Sequence, residues 1–350
     1  LRKKIDEIDE EIVRLLDKRM EIVSEIGSVK KYIGKDVRDL SRETEILDKV
    51  GIYKDIFREI IRLSVAIQVD TLYGERQSKD CRSIGIVGFG KMGRLFARLF
   101  SRYNEIGIYD IKKTLGEGRY NVYSSLRELV RDVEYILVST PLSETPNVVS
   151  RIRKIILSEK LMDKKVFDIA TIKERVVKEL EKFPRYTAVC SIHPLFGGNV
   201  VWTKNKRIVI VPIRGREEDC RYFIEILKPF EFNIVYASQE EHDVAIAYTI
   251  GLPYYIGLAY GETILNMDRE KLSGFGGTSY SIFSSYISDI VFNDKPEFIE
   301  TLLSNAFTKE AIEDFISRVS KDQSTKFNKD IIRKLMSMWR KEQHIEEGDN

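Results

Sequence analysis

Ser83-Ile-Gly-Ile-Val-Gly-Phe-Gly-Lys-Met-Gly93 is the stretch that decides the fold. Its first five residues form a short apolar run that suits a buried strand. Gly88, Gly90 and Gly93 follow in GxGxxG spacing, directly before a helical pattern. Such glycines permit a tight turn and the close approach of a pyrophosphate to a helix N-terminus. Twenty residues after Gly90, Asp110 ends the next strand pattern, where an acid hydrogen-bonds an adenosine ribose and repels a 2′-phosphate. The candidate cofactor-binding residues are therefore Gly88, Phe89, Gly90, Lys91, Met92, Gly93 and Asp110, joined by Ser139, Thr140 and Pro141 at the end of a later strand pattern. Asp110 favours NAD over NADP, and Lys112 and Lys113 soften that preference.

Outward from this motif, Ile84–Val87, Ile106–Tyr109, Tyr135–Ser139, Val166–Asp168, Thr187–Ile192, Ile208–Val211 and Phe232–Tyr236 read as strands between helical patterns. The alternation predicts a Rossmann-like α/β domain with a doubly wound, largely parallel sheet over 83–237. Residues 1–76 contain no proline and repeat apolar residues at helical spacing, and 238–345 return to helical patterns. The chain thus reads as multidomain: an all-α N-terminal domain, the α/β domain and an all-α C-terminal domain. Hydrophobic residues make up 43% and charged residues 32%, an ordinary globular balance. Lys+Arg 57 against Asp+Glu 55 gives a net charge of +2 with no basic stripe, which argues against a nucleic-acid partner. Gly251, Pro253, Gly257, Gly261 and Glu262 interrupt the apolar run from Val244 to Leu265, which reads as a buried helix, not the ~20-residue apolar run of a membrane span. The chain opens Leu-Arg-Lys-Lys, without an apolar signal core, and reads as cytoplasmic. Cys81, Cys190 and Cys220 lie far apart in sequence and form neither a disulfide framework nor a zinc pattern, so no metal is expected.

Residues 2–33 read as one helix, about 48 Å long and too long for one small domain to bury. Ile5, Ile8, Ile12, Leu15, Leu16, Ile22, Val23, Ile26 and Val29 form an apolar stripe, with Asp6, Glu10, Asp17 and Glu21 opposite. Arg19 and Lys30 fall inside the stripe, within about 20° of each other. Buried cations need anionic company, either carboxylates of neighbouring helices or a ligand. Asp39, Arg42 and Glu43 open a short second helix with Ser41 as N-cap, and a third helix runs from about Tyr53 to Leu72. Ser64 and Gln68 lie one turn apart on its apolar face. Buried donors with one carboxylate suit a small dianion bearing a hydroxyl and an ether.

On Arg2, Arg19, Lys30, Asp39, Arg42, Glu43, Ser64 and Gln68, residues 1–75 resemble the all-helical class of chorismate mutases. The stretch between Arg42 and Gln68 is shorter than in longer members of that class. The resemblance implies an intertwined homodimer in which Arg2 reaches in from the partner chain. It also implies that Arg2 and Arg19 clamp two carboxylates, Lys30 and Gln68 face the ether oxygen, and Glu43 holds the ring hydroxyl. Asp39, Arg42 and Ser64 complete the substrate site. The rearrangement is pericyclic and needs no acid, base or nucleophile, only a held conformer and stabilised charge.

Asp168-Ile-Ala-Thr171-Ile-Lys173 and His193-Pro-Leu-Phe-Gly-Gly198 each end a strand pattern and open towards one cleft. Hydride transfer from a carbinol needs a group to take the hydroxyl proton. Of the three histidines, His193 alone falls at a strand end inside the sheet domain; His344 is in the tail, and His242 reads as a cap or surface residue. These motifs resemble prephenate dehydrogenases, so the whole chain resembles a bifunctional chorismate mutase–prephenate dehydrogenase. The resemblance implies that His193 accepts the proton, Thr171 helps hold substrate and histidine, and Lys173 contacts the substrate. It also implies dimerisation through the C-terminal helices and a place in tyrosine biosynthesis. One feature departs from the family, whose helical domain anchors the substrate carboxylate with an arginine: there is none between Arg269 and Arg318. Lys204, Lys206, Arg207 and Lys271 are the alternative cations. An arogenate- or NADP-using enzyme, or a dehydrogenase whose N-terminal helices only dimerise, remain open at this point.

Overall fold

The structure, a computed structural model, describes residues 2–33, 39–73, 81–112, 120–198, 200, 203 and 205–321. The chain forms two compact units, residues 1–242 and 243–350. The first begins with three helices, α1 (Arg2–Ile33), α2 (Leu40–Lys49) and α3 (Lys54–Tyr73). The N-cap of α2 is Asp39 and not Ser41: the Asp39 carboxylate accepts the Arg42 amide at 3.0 Å. The apolar stripe of α1 is not buried within the chain. The helix packs on α3 and buries Val23, whereas Ile8, Ile12 and Leu15 stay 59%, 47% and 54% exposed.

The sheet domain follows with β1 (Ser83–Val87), α4 (Lys91–Phe100), β2 (Glu105–Tyr109), β3 (Asn121–Val122), α5 (Leu126–Asp132), β4 (Tyr135–Val138), α6 (Thr145–Ser158), β5 (Lys165–Asp168), α7 (Glu174–Leu180), β6 (Ala188–Pro194), β7 (Arg207–Val211), α8 (Cys220–Leu227) and β8 (Asn233–Tyr236). The strand order is β3-β2-β1-β4-β5-β6-β7-β8, parallel except for the β6–β7 pair. All seven anticipated strands form. β3 was not anticipated, because two residues carry no periodicity. Successive side chains of each strand enter opposite faces. Ile84, Ile86, Tyr135 and Leu137 join Phe96, Phe100 and Phe223 of α4 and α8 on one side. Val87, Ile136 and Val138 join Leu129, Ile152 and Val176 of α5, α6 and α7 on the other. Both faces are covered, as a parallel sheet requires. Two of the three cysteines meet across this core: Cys190 of β6 and Cys220 of α8 place their sulfurs 3.2 Å apart. Burial raises the Cys190 thiol pKa well above its ordinary value.

Beyond β8 come α9 (Gln239–Ile246), a π-helical turn (Ala247–Gly251), α10 (Leu252–Ile264), α11 (Arg269–Phe275), α12 (Thr278–Asn293), α13 (Pro296–Ser304) and α14 (Ala306–Lys321). The unit boundary falls inside α9. The glycines and Pro253 do not break the apolar run: Gln239–Ile264 is helical over 26 residues, long and apolar enough by length and composition to cross a membrane. Nor is it a buried helix as expected, since only 22% of its most apolar window is buried within the chain. Within the second unit α10 packs on α12, and the Tyr254 hydroxyl donates to Asp294 Oδ2 at 2.6 Å. Phe275 and Phe292 remain 93% and 83% exposed.

Candidate active sites

The register brings the ends of β1, β2, β4 and β5 to one edge, pairing Val87 with Tyr109 and Val138, and Val138 with Asp168. At this edge Gly88 takes φ +95°, a conformation favouring glycine. A Cβ on it would stand 2.5 Å from the Ser139 carbonyl oxygen, and one on Gly93 would collide with the Gly88 carbonyl. Gly90 faces open space and precedes α4 without a side-chain cap. The turn is therefore tight on its inner side and open at the helix N-terminus, as a phosphate cradle must be. Asp110 accepts the Phe89 amide at 2.6 Å and the Lys112 amide at 2.8 Å, which fixes its carboxylate beside the turn. Thr140 Oγ1 and Thr145 Oγ1 lie 3.0 Å apart, which pins the loop of Ser139, Thr140 and Pro141 to the start of α6. Gly198 packs on the Lys91 backbone, where a Cβ would come within 2.7 Å, so the loop after His193 closes over the start of α4. The residues at this edge fit a dinucleotide.

Beside this cradle, His193 near the end of β6 is 5% exposed, and its Nδ1 lies 2.9 Å from His242 Nε2. Burial, then the Lys173 ammonium, then His242 push its pKa well below the usual histidine value. Lys173 is not placed to touch a substrate. It is wholly enclosed, donating to Asp168 Oδ1 at 3.1 Å and to the Ile192 carbonyl at 2.6 Å. It thereby holds the strand one residue before His193. Thr171 sits half-buried between Asp168 and Lys173, on the loop leaving the same edge. His242, read from sequence as a cap or surface residue, is 3% exposed. The signal for it was Ser238-Gln-Glu-Glu241, a capping box whose Ser238 and Glu241 side chains bond each other's amides and fix the first turn of α9.

In the helical domain the Arg19 guanidinium donates to Ser64 Oγ, which in turn donates to the Ile60 carbonyl at 2.6 Å. Burial lowers the Arg19 pKa from its ordinary value. One turn along α3, Gln68 is 8% exposed, and its Oε1 has no hydrogen-bond partner among the described residues. A buried, unsatisfied amide is a place that a ligand can complete. Lys30 and Glu43 are half-buried. Asp39 caps α2 and Arg42 pairs with Glu45, both on the exposed side of that helix. Arg2 begins α1, but its side chain, like all of Lys204, lies outside the described residues. Among the described residues no group of His, Cys, Asp and Glu side chains is arranged to hold a metal.

An α/β nucleotide-binding domain with an enclosed histidine beside the cradle defines a dehydrogenase, here preceded by a helical module with its own cationic site. Residues 1–53 match the family of type II chorismate mutases, and residues 110–207 match the nucleotide-binding domain of prephenate dehydrogenase. Together these matches put a chorismate mutase segment and a prephenate dehydrogenase nucleotide-binding domain in one chain, the arrangement of a fused mutase–dehydrogenase. The T-protein of Haemophilus influenzae is 27% identical over 286 residues, covering 78% of this chain and 71% of that protein. The T-protein of Enterobacter agglomerans is 23% identical over 319 residues, covering 87% and 81%. In fold the chain is similar to a prephenate dehydrogenase from Aquifex aeolicus, solved with hydroxyphenyl propionate and NAD+: the TM-score is 0.60 and the identity 19%, over 78% of this chain and 99% of that one.

Proposed function

We propose that the two modules act in sequence, chorismate to prephenate on the helices and prephenate to 4-hydroxyphenylpyruvate at the sheet, on the tyrosine branch of aromatic biosynthesis. The observation that carries the second step is the enclosed His193 at the nucleotide edge, kept neutral by burial and by Lys173. NAD, when bound, accepts the hydride from the ring carbinol carbon. His193 takes the hydroxyl proton, Thr171 steadies the substrate against it, and loss of the ring carboxylate as CO2 leaves an aromatic ring. Asp110 selects NAD, its carboxylate being already fixed beside the turn by two amides. Arg207 is the cation whose place at this edge supports an anchoring role for the substrate's remaining carboxylate: the Leu195 amide, two residues past His193, donates to its carbonyl at 3.0 Å.

For the first step, Arg19 and Ser64 hold a substrate carboxylate, while Lys30 and Gln68 meet the ether oxygen as charge builds on it. Glu43 takes the ring hydroxyl. The exposed apolar row of α1 supports a homodimer that brings Arg2 of the partner subunit to this site. The apolar faces of α10 and α12 support a second contact between the same two chains. Placement in the cytoplasm belongs to the same reading.

The test is His193→Asn, assayed separately with prephenate plus NAD and with chorismate. NADH formation should fall by about 10³-fold or more while chorismate turnover is unchanged. Retained NADH formation would refute the assignment. Asp110→Ser should move the NAD-to-NADP preference by about tenfold towards NADP; an unchanged ratio would remove Asp110 from cofactor selection.

A further inference from the structure

His242 joins the histidine of the sheet from a different element, the first turn of α9. Its Nε2 lies 2.9 Å from His193 Nδ1, with the rings edge to face at 5.1 Å between centroids. One hydrogen sits between these nitrogens, and the ring that owns it decides what His193 can do. If His242 donates, a neutral His193 carries its own proton on Nε2 and offers no lone pair to a substrate. If His193 donates, Nδ1 holds the proton and Nε2 is a free base. The charge of Lys173, itself bonded to Asp168, opposes a cation on His193, and the buried Asp243 follows His242 on α9. Burial and Lys173 favour the neutral form of His193, whose tautomer is the open quantity.

We propose that His242 is a positioning residue: its Nε2 accepts the Nδ1–H of His193, fixing the tautomer and ring plane in which His193 Nε2 takes the substrate's hydroxyl proton. The arrangement follows the general rule that a catalytic base is oriented by a third group. Here that group is a second imidazole. The inference rests on His193 being the base.

The experiment compares His242→Leu with His242→Gln, whose amide oxygen reaches the place of Nε2 and accepts the same hydrogen bond. In His242→Leu, kcat for prephenate oxidation should fall about 10–100-fold, with KM for prephenate and NAD moving less than about threefold and chorismate turnover retained. His242→Gln should recover most of kcat. Nitrogen NMR of the wild-type enzyme should find His193 protonated on Nδ1, a readout that stands even if the leucine variant does not fold. A kcat within about twofold of wild type in His242→Leu, no recovery in His242→Gln, or an Nε2-protonated His193 would each overturn the inference. His193→Asn separates the two levels. If it keeps NADH formation, the base assignment itself falls. If it loses NADH formation while His242→Leu does not, only the positioning role falls.

Discussion

The sheet domain and the N-terminal helices handle their charges in opposite ways. The sheet encloses Lys173 and Asp168 completely, spends the lysine on a carbonyl next to His193, and covers both faces with helices of the same chain. Among the described residues, the helices leave Ile8, Ile12 and Leu15 in the open, bond Arg19 to Ser64 and leave the Gln68 amide oxygen unmet. The dehydrogenase base is thus built by one chain folding. On the proposed function, the mutase site is only part-built by one chain, and a second copy and a substrate complete it.

The comparison breaks most visibly under single substitutions at the two centres. Arg19→Met should lower chorismate turnover by about 10³-fold, since it removes a charge aimed at the substrate, and should leave prephenate oxidation intact. Retained chorismate turnover would make the helices a dimerisation module only. Lys173→Met leaves Asp168 buried and unpaired, which should cost roughly 3–5 kcal/mol of stability in denaturant titrations; an unchanged midpoint would mean the pair is dispensable. Ile12→Glu puts a charge in the exposed row of α1, so ultracentrifugation should show dissociation of the helical contact and assays should show loss of mutase activity. The thermal transition of the sheet should stay in place. The smallest effect is one of pH. His193 has a depressed pKa when folded, so the unfolded chain binds the extra proton first as pH falls below the usual histidine range near 6.5. Stability from this group is complete above that range and declines below it. The decline should be weaker in His193→Asn, and an identical pH dependence in both proteins would show that His193 titrates normally.

Much of the sheet was legible in sequence because each of the seven anticipated strands is a compact apolar run bounded by turn residues, and Gly88 and Gly93 stand where a Cβ would collide with backbone. His193 stood out by its position at a strand end. What escaped was set by tertiary contact. His242 meets His193 across 49 positions of sequence, and Cys190 meets Cys220 across 30. Lys173 was read as a substrate contact from the resemblance alone, and its burial against Asp168 and the Ile192 carbonyl is set by tertiary contact. The stripe of α1 was read correctly as apolar, but its spacing does not say whether the same chain or another covers it. Ser41 lost the cap to Asp39 for a local reason: both side chains can accept an amide, and the chain enters the helix two residues earlier.

The most direct measurement is one reaction of the purified protein with chorismate and NAD, following chorismate loss and NADH appearance together. Two working centres predict one NADH for each chorismate consumed, with prephenate seen only in passing. Chorismate left untouched, or consumed without any NADH, would contradict the claim that this one chain carries both.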